Sequence, residues 1–286
     1  MQNSYRLVID CPDRVGIVAR VSQYIAGQGG SLLEASYHAD PLARRFFMRT
    51  EIAADTLAVS PDTFSSGFAK IANEFSMNWH LRDASKPRKV ALLVSRASHC
   101  LADLLHRWRS GDLQCEVPCI ISNHESMREI AGWYDVPFFH VAMPADAEKK
   151  RLGFAEIERL LVQHDIDTVV LARFMQIMPQ ALCARYPNRM INIHHSFLPS
   201  FIGANPYKRA FERGVKLIGA TCHYVTEALD EGPIIEQDVI RVGHQHDDQD
   251  MLRLGKDVEA RVLAQGLRLH LEDRAIVVGN KTVIFD

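Results

Sequence analysis

Two rhythms of apolar and polar positions divide the chain. Near the start, Tyr5-Arg6-Leu7-Val8-Ile9 passes from alternating to apolar and stops at Asp10-Cys11-Pro12-Asp13, which predicts a strand ending in a turn. Asp13 is placed to cap a helix whose apolar positions Val15, Val18, Val21 and Ile25 recur at helical spacing, until Gly27 to Gly30 end it. Residues 31–38 and 44–52, parted by Asp40-Pro41, predict a hairpin. Ser60-Pro61, a cap followed by a first-turn proline, opens a second helix through Phe64, Phe68, Ile71 and Phe75. Residues 77–81 predict a last strand. The resulting order, βαββαβ, is that of a ferredoxin-like unit.

The polar stretch 83–88, Asp-Ala-Ser-Lys-Pro-Arg, predicts a linker. The division is 1–83 for a first domain, 84–88 for the linker and 89–286 for a second domain. Beyond it, short apolar runs at 90–94, 119–122, 138–140, 168–172 and 190–193 read as strands buried on both faces. Helical patterns at 98–109, 126–133, 146–163 and 178–185 separate them. This alternation predicts an α/β domain with a mostly parallel, Rossmann-like sheet. Runs at 220–225 and 234–242 read as a hairpin extending the sheet, followed by a helix over 247–271. A last hairpin, 275–278 with 282–285, turns at Gly279-Asn280.

Composition narrows the function. The 286 residues carry 33 Lys+Arg against 35 Asp+Glu, a formal charge of −2, which argues against a nucleic-acid partner. No apolar run approaches the roughly 18–20 residues that span a bilayer, so no membrane association is expected. The N-terminus lacks a basic start followed by a long apolar stretch. Six scattered cysteines form no CxxC pair and read as thiols of a reducing compartment; a cytoplasmic protein is expected. Thirteen histidines raise the question of which of them do chemistry.

In an open α/β sheet, ligands bind beyond the carboxyl ends of the strands. After the run 90–94 comes Ser95-Arg96-Ala97-Ser98, without the glycines that bring backbone amides to a phosphate; no dinucleotide fingerprint or Walker loop occurs anywhere. After 168–172 comes Arg173-Phe174-Met175-Gln176-Ile177-Met178, either a corner of the core or an apolar wall for a planar ligand. After the next strand, Asn192 and His194 share a face by alternation, while His195 points the opposite way. An amide donor beside an imidazole suits a tetrahedral intermediate, and it equally suits a hydrogen-bonded structural pair. In the loop from Thr226 to Asp230, the carboxylate either orients His194 or a water, or supports the loop itself. A metal reading fits poorly. His194 and His195 diverge, and His244 and His246 with Asp247 and Asp248 are better placed to cap the long helix. No G-x-S-x-G elbow is present.

Taken jointly, Asn192-Ile-His194, Ser196-Phe-Leu-Pro199 and His223-Tyr-Val-Thr226-Glu-Ala-Leu-Asp230-Glu-Gly-Pro233 resemble the formyltransferase family that uses 10-formyltetrahydrofolate. The resemblance implies a catalytic set of Asn192, His194 and Asp230. The stretch Asp10-Cys-Pro-Asp13-Arg14-Val15-Gly16-Ile-Val-Ala19 resembles the opening of an ACT domain, where Asp13, Arg14, Val15 and Gly16 would contact an amino-acid effector. An ACT domain ahead of a formyltransferase-like domain is similar to the deformylase branch of that family. Ile121-Ser-Asn123-His124, Phe201-Ile-Gly203-Ala204-Asn-Pro206-Tyr207 and Gly219-Ala-Thr-Cys-His-Tyr agree with that branch.

That resemblance implies hydrolysis of 10-formyltetrahydrofolate to tetrahydrofolate and formate, supplying formate and balancing one-carbon folate pools, with no metal or other cofactor. It implies a folate pocket at Met175, Gln176, Ile177, Met178 and Thr226, with His223 and His124 as neighbours. It also implies a homo-oligomer, dimer or tetramer, with the first domain regulatory or oligomerising. The glycine-poor loop Ser95-Arg96-Ala97-Ser98-His99 departs from the phosphate-holding loop of glycinamide ribonucleotide formyltransferases. Transfer of the formyl group to a small amine is the competing activity, and a non-catalytic folate or amino-acid sensor is a further one.

Overall fold

A computed structural model describes residues 3–199 and 206–285. The motif segment 201–205 lies outside the described residues. The chain forms two compact units, one from residues 3–87 with 272–278 and 283–285, the other from residues 88–271 with 279–282.

The first unit runs β1 (Ser4–Pro12), α1 (Ile17–Gly27), β2 (Leu32–Asp40), β3 (Arg45–Ala53), α2 (Pro61–Phe75) and β4 (Asn78–Asp83). Its antiparallel sheet has the order β2-β3-β1-β4, the ferredoxin-like arrangement. Ser60 caps α2 by accepting from the Thr63 amide. The start of α1 differs from the sequence reading. Gly16, in the left-handed region at φ 95°, is its N-cap without a side-chain bond, and Asp13 lies outside the helix. The buried stripe is Ile17, Val21 and Ile25, whereas Val15 and Val18 face outward. A spacing of four keeps one face inward, and Val15 precedes the helix altogether. Asp13, Arg14, Val15 and Gly16 are all exposed in the β1–α1 loop.

The second unit runs β5 (Arg88–Val94), α3 (His99–Arg109), β6 (Cys115–Ser122), α4 (Arg128–Trp133), β7 (Phe138–His140), α5 (Ala147–Gln163), β8 (Thr168–Ala172), α6 (Gln180–Arg185), β9 (Met190–His194), α7 (Pro206–Arg213), β10 (Leu217–Tyr224), β11 (Ile234–Arg241) and α8 (Asp248–Leu271). Its sheet order is β11-β10-β9-β8-β5-β6-β7, parallel from β9 to β7 and antiparallel at β10 and β11. The chain moves outward from β5 through β6 to β7, then returns to β5's other side with β8 and β9. That reversal opens a crevice at the carboxyl ends of the strands. Helices α5 and α6 cover a core that includes Leu93, Ile121, Ile157, Leu161 and Val169, and α8 packs across β10 and β11 and against α3. No described helix is long and apolar enough to cross a membrane.

The terminal hairpin, β12 (Ala275–Val278) with β13 (Lys281–Ile284), corrects the expected 89–286 boundary. Ile276 and Phe285 pack on Val8 and Phe47, which alternate with the helix-facing Leu7, Ile9, Phe46 and Met48. Polar contacts reinforce the attachment. Buried Arg49 donates to the Glu272 carbonyl at 3.0 Å and to Glu34 and Glu51, and Arg82 donates to Asp273 at 2.7 Å.

Candidate active site

Where β8 and β9 end, with the loop after β10 and parts of α7 and α8, a cavity of about 700 Å³ opens. That is room for a cofactor-sized organic ligand. Asn192, His194, His223, Thr226 and Asp230 line it, as do Met175, Gln176, Ile177 and Met178.

Register brings the polar groups together. Antiparallel pairing of β9 with β10 sets His223 opposite Asn192. His223 Nδ1 lies 2.9 Å from the Tyr224 carbonyl, an acceptor, so that nitrogen carries the hydrogen. Burial pushes the His223 pKa down, keeping the ring neutral. Its Nε2 therefore accepts from Asn192 Nδ2 at 3.2 Å, which fixes the direction of the Asn192 amide. One amide hydrogen is left for the cavity.

His194 Nδ1 lies 3.3 Å from Asp230 Oδ1, while its buried Nε2 has no hydrogen-bond partner among the described residues. An imidazole tied at one nitrogen and unsatisfied at the other is poised to exchange a proton with a ligand. The hydrogen bond from His194 outweighs burial and holds the Asp230 carboxyl below its usual range, so it is ionised at neutral pH. Asp230 sits at φ 58°, a left-handed conformation that costs a side-chain-bearing residue roughly 1–2 kcal/mol. The surrounding loop must hold it there.

The Met175–Met178 loop combines both sequence readings. Phe174 and Met178 enter the core, and Met175 and Ile177 are about 60% exposed (60% and 62%) on the cavity side. Positive φ at Arg173 (64°) and Met175 (60°) turns the chain so that the two sets part. His124 is not brought to this cavity. It follows β6, three places from β9 in the sheet order, and its Nε2 accepts from Arg96 at 3.3 Å.

Sequence reasoning missed Arg173, His195, Tyr207 and Glu259. The strand ends at His194, so alternation stops there; the His195 ring lies 5.1 Å from that of His194 and lines the same cavity. Burial first, then the Arg173 charge, pushes the His195 pKa down to about 4. Glu259, 1% exposed, accepts from Tyr207, from Arg173 Nη1 at 3.1 Å and pairs with His99 Nε2 at 2.8 Å. Burial pushes its carboxyl up, but the His99 bond, the Arg173 charge and the Tyr207 bond outweigh it, and the net direction is down. The signal was an arginine at a strand end and a glutamate on the apolar face of the last helix.

Among the described residues, His99, Cys100 and Glu259 form the group of side chains close enough to share a cation. The donor set does not suit one. Arg173 occupies the carboxylate, and burial raises the Cys100 pKa well above its ordinary value, holding the thiol protonated. Near α8, Asp247 Oδ1 accepts from the Asp250 amide at 2.8 Å, the capping role weighed for that cluster.

The formyl transferase family model matches residues 88–267. The formyltetrahydrofolate deformylase of Bacillus subtilis (strain 168) is 46% identical over 286 residues, 98% of this chain and 93% of that protein. A crystal structure of a formyltetrahydrofolate deformylase from Pseudomonas syringae pv. tomato superposes with a TM-score of 0.97 at 57% identity, covering 100% of this chain and 95% of the other. The glycinamide ribonucleotide transformylase 1 of Symbiobacterium toebii, 30% identical, matches 73% of this chain and 98% of its own with a TM-score of 0.67. With a formyl transferase domain and full-length relatives of that kind, the chain belongs to the formyltetrahydrofolate deformylase family.

Proposed function

We propose that this chain hydrolyses 10-formyltetrahydrofolate to tetrahydrofolate and formate, with Asn192, His194 and Asp230 as the catalytic residues. The observation that carries the assignment is the buried His194 Nε2, unpartnered among the described residues, backed by an ionised Asp230 and set beside a fixed Asn192 amide. Asp230 holds His194 Nδ1–H, so Nε2 has the lone pair that takes a proton from the attacking water. The water oxygen bonds to the formyl carbon, and the carbonyl oxygen becomes an oxyanion. Asn192 Nδ2–H and the new His194 Nε2–H donate to it. His194 then returns the proton to N10 as the carbon–nitrogen bond breaks, formate leaves, and its acid proton passes to solvent. His223 acts through Asn192, as a positioning residue.

The pterin rests against the 175–178 loop and the 226–230 loop, whose backbone groups face its amino and carbonyl edges. Purified protein given 10-formyltetrahydrofolate and no amine should release formate and tetrahydrofolate in equal amounts. A strict requirement for an amine acceptor would overturn this reading in favour of transfer.

For the first unit, a regulatory amino-acid site at Asp13, Arg14, Val15 and Gly16 is supported by the exposure of that loop at the start of α1. The edge strand β2 exposes Leu32, Leu33 and Tyr37, an apolar surface that supports assembly into a homo-oligomer. Six free cysteines and the folate substrate fit the cytoplasm. A panel of free amino acids should shift the rate or the melting temperature. If none does, the unit is left with assembly alone.

A further inference from the structure

Transformylases share this domain with the deformylases, so some feature of the pocket must decide whether water or an amine receives the formyl group. The catalytic trio does not make that choice. Its geometry would serve either nucleophile, because the oxyanion and the proton transfers are common to both.

An acceptor has to share the cavity that holds His194 with the folate. Tyr207, from α7, lines the same cavity as Asn192 and His194 and is 5% exposed. Its hydroxyl is spent on Glu259, which is buried in α8 and does not line the cavity. Burial, with the Glu259 charge and hydrogen bond, raises the phenol pKa far above its usual value, so the hydroxyl stays a donor. The ring lies against Gly255, four residues before Glu259 on the same helix, where any side chain would strike its ring and hydroxyl. The ring also meets His195 edge-on at 6.4 Å and 69°, and His195 in turn meets His194. Glu259 fixes Arg173, a second lining residue, through the same carboxylate. One saturated carboxylate thus pins two groups of the cavity wall, and an unbroken series of contacts runs from it through Tyr207 and His195 to His194.

A chain built only for stability has no need of a buried ion cluster there, since breaking even with apolar packing is the usual outcome for such groups. Pinning a bulky ring in the cavity wall, with His195 between it and the reactive imidazole, has a clear chemical consequence. The ring takes up cavity space that the substituent of an amine would need, whereas a water brings no substituent.

We propose that Tyr207, held by Glu259 and seated on Gly255, is the specificity-determining group that excludes amine acceptors and leaves water to take the formyl group. The proposal rests on the hydrolase reading above. In a variant with the ring removed, an amine nitrogen bonds to the formyl carbon, the carbon–N10 bond breaks, and one amine proton ends on N10. The products are then an N-formyl amine and tetrahydrofolate, with no net loss of atoms.

The test uses the full chain as wild type, Tyr207→Ala, Tyr207→Leu and Tyr207→Phe, with 10-formyltetrahydrofolate and excess glycinamide or hydroxylamine. The ratio of N-formyl amine to formate is read by mass spectrometry, corrected for uncatalysed transfer. This ratio is internal to each sample and is not moved by a general loss of folded enzyme. Wild type and Tyr207→Phe should yield formate alone, the latter with a lower melting temperature from the lost hydrogen bond. At least one of Tyr207→Ala and Tyr207→Leu should raise the ratio by about tenfold or more, the scale of discrimination that pocket shape commands. If both release formate and neither forms N-formyl amine above the wild-type level, Tyr207 is only a packing residue and the proposal is overturned. Formylated amine from Tyr207→Phe overturns the ring as the gate. Formylated amine from wild type instead sinks the hydrolase reading, a distinct result.

Discussion

Two carboxylate–imidazole pairs in the second unit have the same chemical parts and opposite character. Asp230, a loop residue of positive φ, meets His194 at 3.3 Å, and the imidazole keeps a buried Nε2 with no partner among the described residues. Glu259 and His99 meet at 2.8 Å inside a helix-lined interior, where Tyr207 and Arg173 take up the rest of the carboxylate. Unused bonding capacity is what separates them. The first pair has a proton position open to a ligand and can do chemistry; the second is saturated and can only hold its neighbours in place.

The largest effect should come from breaking the open pair. Asn192→Ala, His194→Ala and Asp230→Ala should each lower kcat for formate release about 100–1,000-fold, equivalent to roughly 3–4 kcal/mol of lost transition-state stabilisation. The KM for the folate should change far less for Asn192→Ala and His194→Ala, since both residues belong to β9 and not to the two loops that hold the pterin. Near wild-type turnover in any one variant would remove that residue from the set.

Breaking the saturated pair should show in stability before chemistry. Glu259→Ala leaves Arg173 and His99 without their shared carboxylate in a buried setting. Loss of one partner of such a cluster costs about 3–5 kcal/mol. A clear drop in the urea midpoint is expected, against a small drop for Asp230→Ala, whose side chain is partly exposed and whose strained backbone is an offsetting cost. Equal midpoints for the two variants would erase the distinction drawn between the pairs.

The two pairs were unequally legible in the sequence. Asn192, His194, His223 and Asp230 lie within two adjacent strands and one loop, so a local motif carries them all. Tyr207, Arg173, His99 and Glu259 come from four separate elements, and each alone is an ordinary residue of a helix or strand end. Helix α7 was not foreseen. Its buried positions Tyr207 and Ala210 give too short an apolar repeat to announce a helix. His195 was turned the wrong way because alternation was extended past the last strand residue. The fold itself was largely readable, since strand and helix periods dominate in buried elements. The terminal hairpin was readable too, but its attachment to the first unit was not, because Glu272 and Asp273 meet Arg49 and Arg82, some two hundred residues earlier, only in the folded chain.

A pH titration sharpens the same comparison. His195 lies between the two pairs, and its pKa is about 4 in the folded chain against an ordinary value near 6.5. Between these values the unfolded chain binds more protons than the folded one, so stability rises with pH across that window and is lost as pH falls through it. The full gap corresponds to roughly 3 kcal/mol. His223, also lowered by burial, adds in the same direction. Asp230 and Glu259 have pKa values lowered from 3.8 and 4.5, so their contribution is full above those values and is lost as pH falls below them, at the acid end of this window and beyond. His195→Gln should flatten the rise of the urea midpoint from pH 4 to 6.5, and an unaltered slope would show that His195 is not held neutral.

The smallest effect is expected at a third imidazole, which has no carboxylate partner among the described residues. His124 accepts from the Arg96 guanidinium, and its amide nitrogen donates to Ser122 Oγ at 3.1 Å, a bond that survives side-chain truncation. Neither contact reaches the cavity at β8 and β9. Substitution of a partly exposed side chain away from a site generally changes stability by about 0.5 kcal/mol or less. His124→Ala should therefore leave kcat/KM for formate release within about twofold of wild type. A tenfold loss would extend the working site across β5 to β6, and the boundary drawn around the open pair would have to move with it.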